Sequence, residues 1–248
     1  MAKVVVIGGT GLIGSKLVTQ LIEHGAYAVP ASLDTGVNTL TGDGLAAAIV
    51  DARVVVDVSN APSFEEHEVL DFFTTSTSNL LAESAGARVS HYVALSVVGT
   101  QRLADSPYFR AKNAQERLIK ESGLAYSIVQ ATQFFEFAAG IANAATVGGQ
   151  VRLSHALTQP MAADDVATAV AHTVTGEPVY GTVEVAGPER FGLDELVGKG
   201  LALKDDPRPI VTDPEARYFG ALLEDHTLLP GDGATIFPTR FEEWAVRQ

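Results

Sequence analysis

The stretch KVVVIGGTGLIGSKLVTQLIEHG, residues 3–25, decides the fold of this chain. Its first part is a run of β-branched residues, which is typical of a strand buried on both faces. Gly8, Gly11 and Gly14 follow at intervals of three. An apolar pattern with helical spacing comes next. The stretch therefore predicts a strand, a tight glycine turn and a helix, which together make the first βα unit of a parallel sheet.

The predicted helix has a clear apolar face and a clear end. Leu17, Val18, Leu21 and Ile22 recur at helical spacing and are expected to face the sheet. Gly25 stands where a left-handed residue would end the helix.

The same alternation of strand and helix continues along the chain. Strand-like runs and helical segments follow one another, and the second half is less regular. The pattern predicts an α/β fold, a Rossmann-type doubly wound parallel sheet, in a single domain over residues 1–248. The cofactor-binding core is expected over about 1–150, and a small C-terminal substrate-binding part over about 151–248. The predicted strands are AYAVPAS (26–32), ARVVVDVS (52–59), HYVALSVVG (91–99), AYSIVQA (125–131) and TVEVAGP (182–188), and the predicted helices are 65–86, 108–123, 164–174 and 238–248.

Composition excludes several functions. The net charge of −13 disfavours nucleic acid, and no apolar run is long enough to span a membrane. The chain has no cysteine, and its six histidines are scattered, so no metal site is expected. The first residues lack the pattern of a secretory signal, which favours a cytoplasmic protein.

The glycine turn indicates a dinucleotide. Glycines between a strand and a helix allow pyrophosphate to approach the backbone, and the free amides at the helix start favour its charge. The alternative is a tight turn without a ligand. Small and polar residues after the third strand, next to Asp57, are expected beside the adenosine and ribose. The predicted contacts are Gly8, Thr10, Gly11, Leu12, Ile13, Gly14, Ser59, Asn60 and Ala61.

Tyr108 and Lys112 are the candidate catalytic residues. They are four residues apart at the start of a predicted helix and so share a face. A nearby ammonium would lower the pKa of the phenol, which could then exchange a proton with an alcohol or carbonyl. The alternative is a packed tyrosine and a solvated lysine. Ser96 ends the strand that precedes this helix.

These motifs resemble a known superfamily. The Gly-x-x-Gly-x-x-Gly spacing is similar to atypical and extended short-chain dehydrogenase/reductases. YFRAKNAQERLIKESGLAYSIVQATQFFEF (108–137) resembles the NmrA-like branch, as do residues 158–170 and 181–196. The resemblance implies that Lys112 holds the nicotinamide ribose, that Tyr108 exchanges a proton and that Ser96 orients the substrate. Gln130 and Ala131 stand where this family usually has arginine and proline.

The resemblance also bears on the cofactor. The usual acidic position of NAD-binding relatives falls on Ser32, and the usual arginine of NADP-binding relatives falls on Leu33. Ser32 and Thr35 could donate hydrogen bonds to a 2′-phosphate, which favours NADP(H). Asp34, twenty residues after Gly14, would suit NAD(H), which stays open.

The implied function is NAD(P)H-dependent hydride transfer to a small organic acceptor such as a carbonyl, a quinone or another conjugated compound. Gln133, Phe134, Phe135 and Phe137 follow a strand end and are expected to form the substrate pocket, although core packing of two phenylalanines is an equal alternative. Two other functions stay open: a non-catalytic redox sensor with a protein partner, and an epimerase or isomerase that retains its NAD. A homodimer is compatible with each of them.

Overall fold

Strands and helices alternate through the first half of the chain as the sequence predicts. The computed structural model describes residues 2–248. The strands are β1 (Lys3–Ile7), β2 (Tyr27–Ala31), β3 (Val54–Asp57), β4 (His91–Val97), β5 (Tyr126–Ala131), β6 (Thr146–Val147), β7 (Gln150–Leu153), β8 (Leu157–Thr158), β9 (Gly181–Ala186), β10 (Phe191–Gly192), β11 (Ile210–Thr212) and β12 (Thr235–Ile236). The helices are α1 (Leu12–Glu23), α2 (Leu45–Ile49), α3 (Glu66–Gly86), α4 (Pro107–Glu121), α5 (Ala138–Ala144), α6 (Ala163–Thr175), α7 (Leu193–Ala202) and α8 (Phe241–Ala245).

Seven strands form the main sheet, in the order β2-β1-β3-β4-β5-β9-β12. β1 pairs in parallel with both β2 and β3, so that Val5 lies between Val29 and Val55. The strand order therefore reverses at β1, and open α/β sheets bind ligands at the carboxyl end of such a switch point. Two small sheets, β8 with β10 and β6 with β7 and β11, belong to the C-terminal part. The α/β, Rossmann-type fold class is confirmed.

The chain forms two compact units. The first contains the residues up to Ser96, then 111–130 and 166–183. The second contains 97–110, 131–165 and 184–248. Each unit is thus assembled from separated stretches of sequence.

The core of the first unit depends on β1 and α1. Val5 and Val6 are fully buried, as expected for a central parallel strand. The buried face of α1 contains Leu17 and Leu21, whereas Ile22 is 55% exposed. The prediction that Ile22 faces the sheet is therefore wrong, because residues four apart on α1 already cover the sheet and Ile22 lies beyond the edge of that stripe.

The second unit has an aromatic core near the C-terminus. Phe135 packs at 5.3 Å between ring centroids against both Phe241 and Trp244. The indole Nε1 of Trp244 donates to Glu136 Oε1 at 2.8 Å, which satisfies its polar end. Phe135, Phe241 and Trp244 thus form a packed aromatic cluster that the irregular sequence pattern did not predict.

α8 begins at Phe241, three residues after the predicted start at residue 238. Thr239 and Glu242 have capping-box spacing, but the backbone N–H of Arg240 donates instead to Glu243 Oε2 at 3.2 Å. The Thr239 hydroxyl donates to Asp165 Oδ1 at 3.0 Å. A tertiary partner on α6 thus displaces the local cap.

No helix within residues 2–248 combines the length and the apolar character needed to cross a membrane.

Leu17 and Ile22 provide a matched test of the α1 face. Leu17→Ala should lower the free energy of unfolding by about 2–5 kcal/mol, because it leaves a cavity at a fully buried site. Ile22→Ala should change it by less than about 0.5 kcal/mol. Urea denaturation of both variants measures the difference, and equal losses would contradict the assigned face.

Candidate active site

The glycine loop of the first unit leaves no room for side chains at Gly8, Gly9 and Gly14. Gly8 has φ +75° and belongs to the left-handed region that favours glycine. A Cβ at Gly8 would lie 2.9 Å from the backbone nitrogen of Ser59, and a Cβ at Gly14 would lie 2.1 Å from the carbonyl oxygen of Gly8. β1, the start of α1 and the segment after β3 therefore meet backbone to backbone at the switch point.

The start of α1 suits an anion. Its N-cap is Gly11, which has no side chain to accept from the first-turn amides, and its first turn contains no acidic residue. The amides and the helix dipole therefore meet no negative side chain from the helix itself. Together with the bare glycine backbone, this arrangement fits a dinucleotide pyrophosphate.

The predicted ribose-binding residues come together in the first unit. Thr10 Oγ1 lies 3.1 Å from both Ser32 Oγ and Asp34 Oδ2. The Thr35 hydroxyl is used within its own turn, where it accepts from the Ser32 backbone N–H at 2.8 Å and donates to the Ser32 carbonyl at 3.0 Å. Leu33 is 74% exposed. A carboxylate thus stands beside the hydroxyls at the end of β2.

The segment after β3 presents the remaining predicted contacts. Ser59 donates to Asp57 Oδ1 through its backbone N–H at 3.0 Å and through its hydroxyl at 2.6 Å. Asn60 is exposed and Ala61 is buried. Burial raises the pKa of Asp57 against the opposing effects of Ser59 and Lys112.

Lys112 belongs to a buried network of the first unit. The residue is only 2% exposed. Its Nζ donates to the Leu95 carbonyl at 2.9 Å and to Gln115 Oε1. The same atom lies 4.5 Å from the ring centroid of Phe73. Gln115 Nε2 donates in turn to Asp57 Oδ2 at 2.9 Å. Lys112 therefore ties the end of β4 to the end of β3, and its contact with a ribose stays a prediction.

Burial also sets the charge of Lys112. Desolvation lowers its pKa to about 8, against the opposing effects of Asp57 and Glu116. The lysine is thus close to losing its proton at mildly alkaline pH.

Glu116 organises a second network, which includes the predicted Ser96. The Ser96 hydroxyl donates to Glu116 Oε1 at 2.7 Å, and Gln130 Nε2 donates to the same atom at 2.6 Å. Lys120 Nζ pairs with Glu116 Oε2 at 3.1 Å. Gln130 is thus a neutral donor to the buried Glu116 carboxylate. The Ser96 hydroxyl is committed to Glu116, and its role in orienting a substrate stays a prediction.

Tyr108 belongs to the second unit and to an aromatic environment. Its ring centroid lies 5.5 Å from that of Phe109 and 6.3 Å from that of Phe219. Burial raises the pKa of Tyr108. This direction is opposite to the lowering expected from the sequence, since desolvation of the phenolate dominates. Tyr108 therefore keeps its proton at neutral pH, and its raised pKa makes it a weaker acid than an ordinary tyrosine.

The four predicted pocket residues all belong to the second unit, and their surroundings differ. Phe135 is core, as its contacts with α8 indicate. Phe134 and Phe137 stack with centroids 5.0 Å apart, and Phe137 is 44% exposed. Gln133 is buried, and its Oε1 accepts from the Thr158 hydroxyl at 2.7 Å.

Tyr218 is a neighbour of this group that the sequence did not reveal. Its ring centroid lies 6.3 Å from that of Phe109, and burial raises its pKa, with a further contribution from the charge of Tyr108. A hydrogen bond from Gln133 acts in the opposite direction. A lone tyrosine in an irregular segment carries no periodicity or motif, so no sequence signal pointed to it.

The described residues contain no group of three or more metal-ligating side chains.

Comparison with known proteins agrees with a dinucleotide site at the glycine loop. The model of a family described as NAD(P)H-binding matches residues 8–177. The chain belongs to this family. The match begins at the glycine loop and extends through α6, so it includes both that loop and the residues around Lys112.

Two curated relatives are photosystem II assembly factors, both named Ycf39. The chain is 24% identical over 148 residues to the protein of Cyanophora paradoxa, covering 54% of this chain and 46% of the relative. The Synechocystis protein is also 24% identical over 148 residues, with 54% and 45% covered. This NAD(P)H-binding chain thus spans about half the length of the curated relatives it matches.

Solved structures resemble the chain over almost its whole length. MoeE5 in complex with UDP-glucose and NAD is 18% identical, with a TM-score of 0.71 and coverage of 99% of this chain and 92% of that one. A dTDP-4-dehydrorhamnose reductase from Clostridium acetobutylicum is 14% identical, with a TM-score of 0.69 and coverage of 99% and 97%. These similarities show that the chain shares a Rossmann-type fold with both proteins.

The lowered pKa of Lys112 predicts a pH dependence. Between the folded value of about 8 and the unfolded value of 10.5, the unfolded chain binds more protons, so the stability contributed by Lys112 rises with pH. The stability of the wild type relative to Lys112→Met should therefore increase by roughly 2–3 kcal/mol from pH 7.5 to 10.5. Urea denaturation at four pH values measures this change, and a constant difference would contradict a buried, charged lysine.

Proposed function

We propose that this protein is an NAD(P)H-dependent oxidoreductase that transfers a hydride to a small organic acceptor. The observation that carries the proposal is Tyr108, a partly buried tyrosine whose ring centroid lies 5.5 Å from that of Phe109 and 6.3 Å from that of Phe219. Two-electron reduction of a carbonyl or quinone requires a proton as well as a hydride, and a phenol of this kind can donate one. The resemblance to NmrA-like reductases supports the same function.

Each of the predicted residues has its own part in the proposed function. Gly8, Gly14 and the start of α1 would hold the pyrophosphate, and Thr10 and Asp34 would contact the adenosine ribose. A bound reduced nicotinamide supplies the hydride. Lys112 would keep the ends of β3 and β4 in place, and Tyr108 would give its proton to the reduced acceptor oxygen.

We further propose NAD(H) as the preferred cofactor, although the sequence favoured NADP(H). Asp34 Oδ2 lies 3.1 Å from the Thr10 hydroxyl, where its negative charge would repel a 2′-phosphate and accept from ribose hydroxyls. Thr35, one of the two donors expected for the phosphate, is occupied within its own turn.

Removing the charge of Asp34 should change this preference. In Asp34→Ser, the ratio of the Kd for NADP to the Kd for NAD should fall at least tenfold, or about 1.4 kcal/mol. Asp43→Ser is the control, because Asp43 accepts from Thr41 in a different turn of the same unit. Fluorescence titration with both cofactors measures the ratio, and an unchanged ratio in Asp34→Ser would refute the role of its carboxylate.

A second candidate is a non-catalytic dinucleotide-binding protein that acts on a protein partner. Ser96 and Lys112 are both engaged in buried networks, which supports a structural use of two residues to which the resemblance assigns catalytic roles. The two curated relatives that are named as assembly factors agree with such a role.

Oxidation of NADH and NADPH with a panel of quinones and aldehydes separates the candidates. The oxidoreductase should turn over at least one acceptor, and Tyr108→Phe should reduce kcat about a hundredfold, since general acid catalysis typically contributes at least that much. Tyr126→Phe is the control, because the Tyr126 hydroxyl donates to the Tyr180 carbonyl elsewhere.

Tight cofactor binding without turnover on any acceptor would overturn the enzyme proposal and favour the partner-binding protein. NAD that copurifies and is not consumed would favour an epimerase or isomerase instead.

A further inference from the structure

A pocket of about 430 Å³ lies beside α3 in the first unit. Glu68, Asp71, Phe72 and Thr75 line one side of it. These residues follow one another at intervals of three, one and three, so they share one face of the helix. A pocket of this volume is large enough for a small ligand or for side chains of another protein.

Hydrogen bonds hold in place the loop that carries Leu40, another lining residue. Asn38 Oδ1 accepts from the Leu40 backbone N–H at 2.9 Å. Asn79, four residues after Thr75 on α3, donates through Nδ2 to the carbonyl oxygens of Thr39 and Leu40, at 2.8 and 3.2 Å. The loop is thus fixed against α3 by its own turn and by a side chain of the helix. A pocket with walls fixed in this way loses little entropy when a partner binds.

The lining of the pocket is both apolar and acidic. Leu40, Pro62 and Phe72 supply apolar surface, and Leu40 is 43% exposed. Glu68 and Asp71 are its charged members, and among the described residues no lysine, arginine or histidine lines it. The helix has the same sign of charge, because the sequence of α3 contains four carboxylates and neither lysine nor arginine. An acidic surface of this kind attracts cationic partners.

We propose that this pocket binds a basic amphipathic segment of a partner protein. Apolar side chains of the segment would contact Leu40 and Phe72, and its lysine or arginine side chains would pair with Glu68 and Asp71. The inference goes beyond the proposed function, because it holds whether or not the protein turns over a substrate.

Charge argues against two other occupants. A second copy of this chain would also carry a net charge of −13, so the two copies would repel each other. The phosphates of a nucleotide would be repelled by Glu68 and Asp71.

Fluorescence anisotropy with labelled synthetic peptides tests the pocket. The probe is an amphipathic helix of about 18 residues with leucine on one face and lysine on the other, and a peptide with glutamate in place of lysine is its control. The protein should bind the lysine peptide and not the glutamate peptide.

Variants separate the pocket from the overall negative charge. Asp71→Asn and Leu40→Ser should each raise the Kd for the lysine peptide about fivefold, since one removes a pairing charge and the other an apolar contact. Glu83→Gln is the matched control, because it removes one charge from an exposed position of the same helix that does not line the pocket, and it should leave this Kd unchanged. Thermal unfolding confirms that each variant is folded. An unchanged Kd in either Asp71→Asn or Leu40→Ser, or an equal rise in Glu83→Gln, would overturn the inference.

Saturating NAD⁺ distinguishes the peptide from the cofactor as occupant. The Kd for the lysine peptide should be the same with and without NAD⁺. Competition between the two, together with a raised Kd for NAD⁺ in Asp71→Asn, would show that the cofactor takes the pocket and would overturn the inference. Peptide binding by a protein that oxidises NADH with no acceptor would support the pocket while refuting the proposed function.

Discussion

The close approach of three backbone segments at the glycine loop is the constraint on which the rest of the first unit depends. A methyl group at Gly14 would lie 2.1 Å from the Gly8 carbonyl, and one at Gly8 would meet Ser59 at 2.9 Å. The end of β1, the start of α1 and the segment after β3 can therefore converge only as bare backbone. That convergence fixes the point where the strand order reverses, and it presents helix amides where an anion can reach them.

Two buried carboxylates of the first unit have amides among their partners. Asp57 accepts from Gln115 and Glu116 accepts from Gln130, at 2.9 and 2.6 Å. Neutral donors compensate a buried charge less than a guanidinium does, which agrees with the raised pKa of Asp57. Lys112 supplies positive charge to both carboxylates while losing much of its own solvation. The first unit thus holds a chain of mutually dependent polar groups, in which removing one member leaves another unpaired.

Local sequence patterns predicted the parts of the structure that local chemistry determines. The first five strands, the glycine turn and the end of α1 before Gly25 follow from periodicity and backbone freedom. The grouping of Thr10, Ser32 and Asp34 follows from the carboxyl-edge rule for parallel strands.

Tertiary contacts determined what the sequence did not predict. The Thr239 hydroxyl donates to Asp165, and the cap of α8 forms at Arg240 instead. The Ser96 hydroxyl donates to Glu116. The pKa of Tyr108 follows burial rather than its spacing from Lys112. Tyr218 lies 85 residues after Gln133 in sequence, and no pattern of period two or 3.6 joins residues so far apart.

The backbone of Phe219 is in the left-handed region, with φ +47°, and this affects how the protein could be engineered. Glycine or asparagine at that position would relieve the backbone, so a screen that rewards heat resistance alone should collect such replacements early. Each of them would also delete the ring that lies against Tyr108. A library selected for thermostability and then sorted by turnover would therefore show residue 219 as a point where the two properties trade against each other.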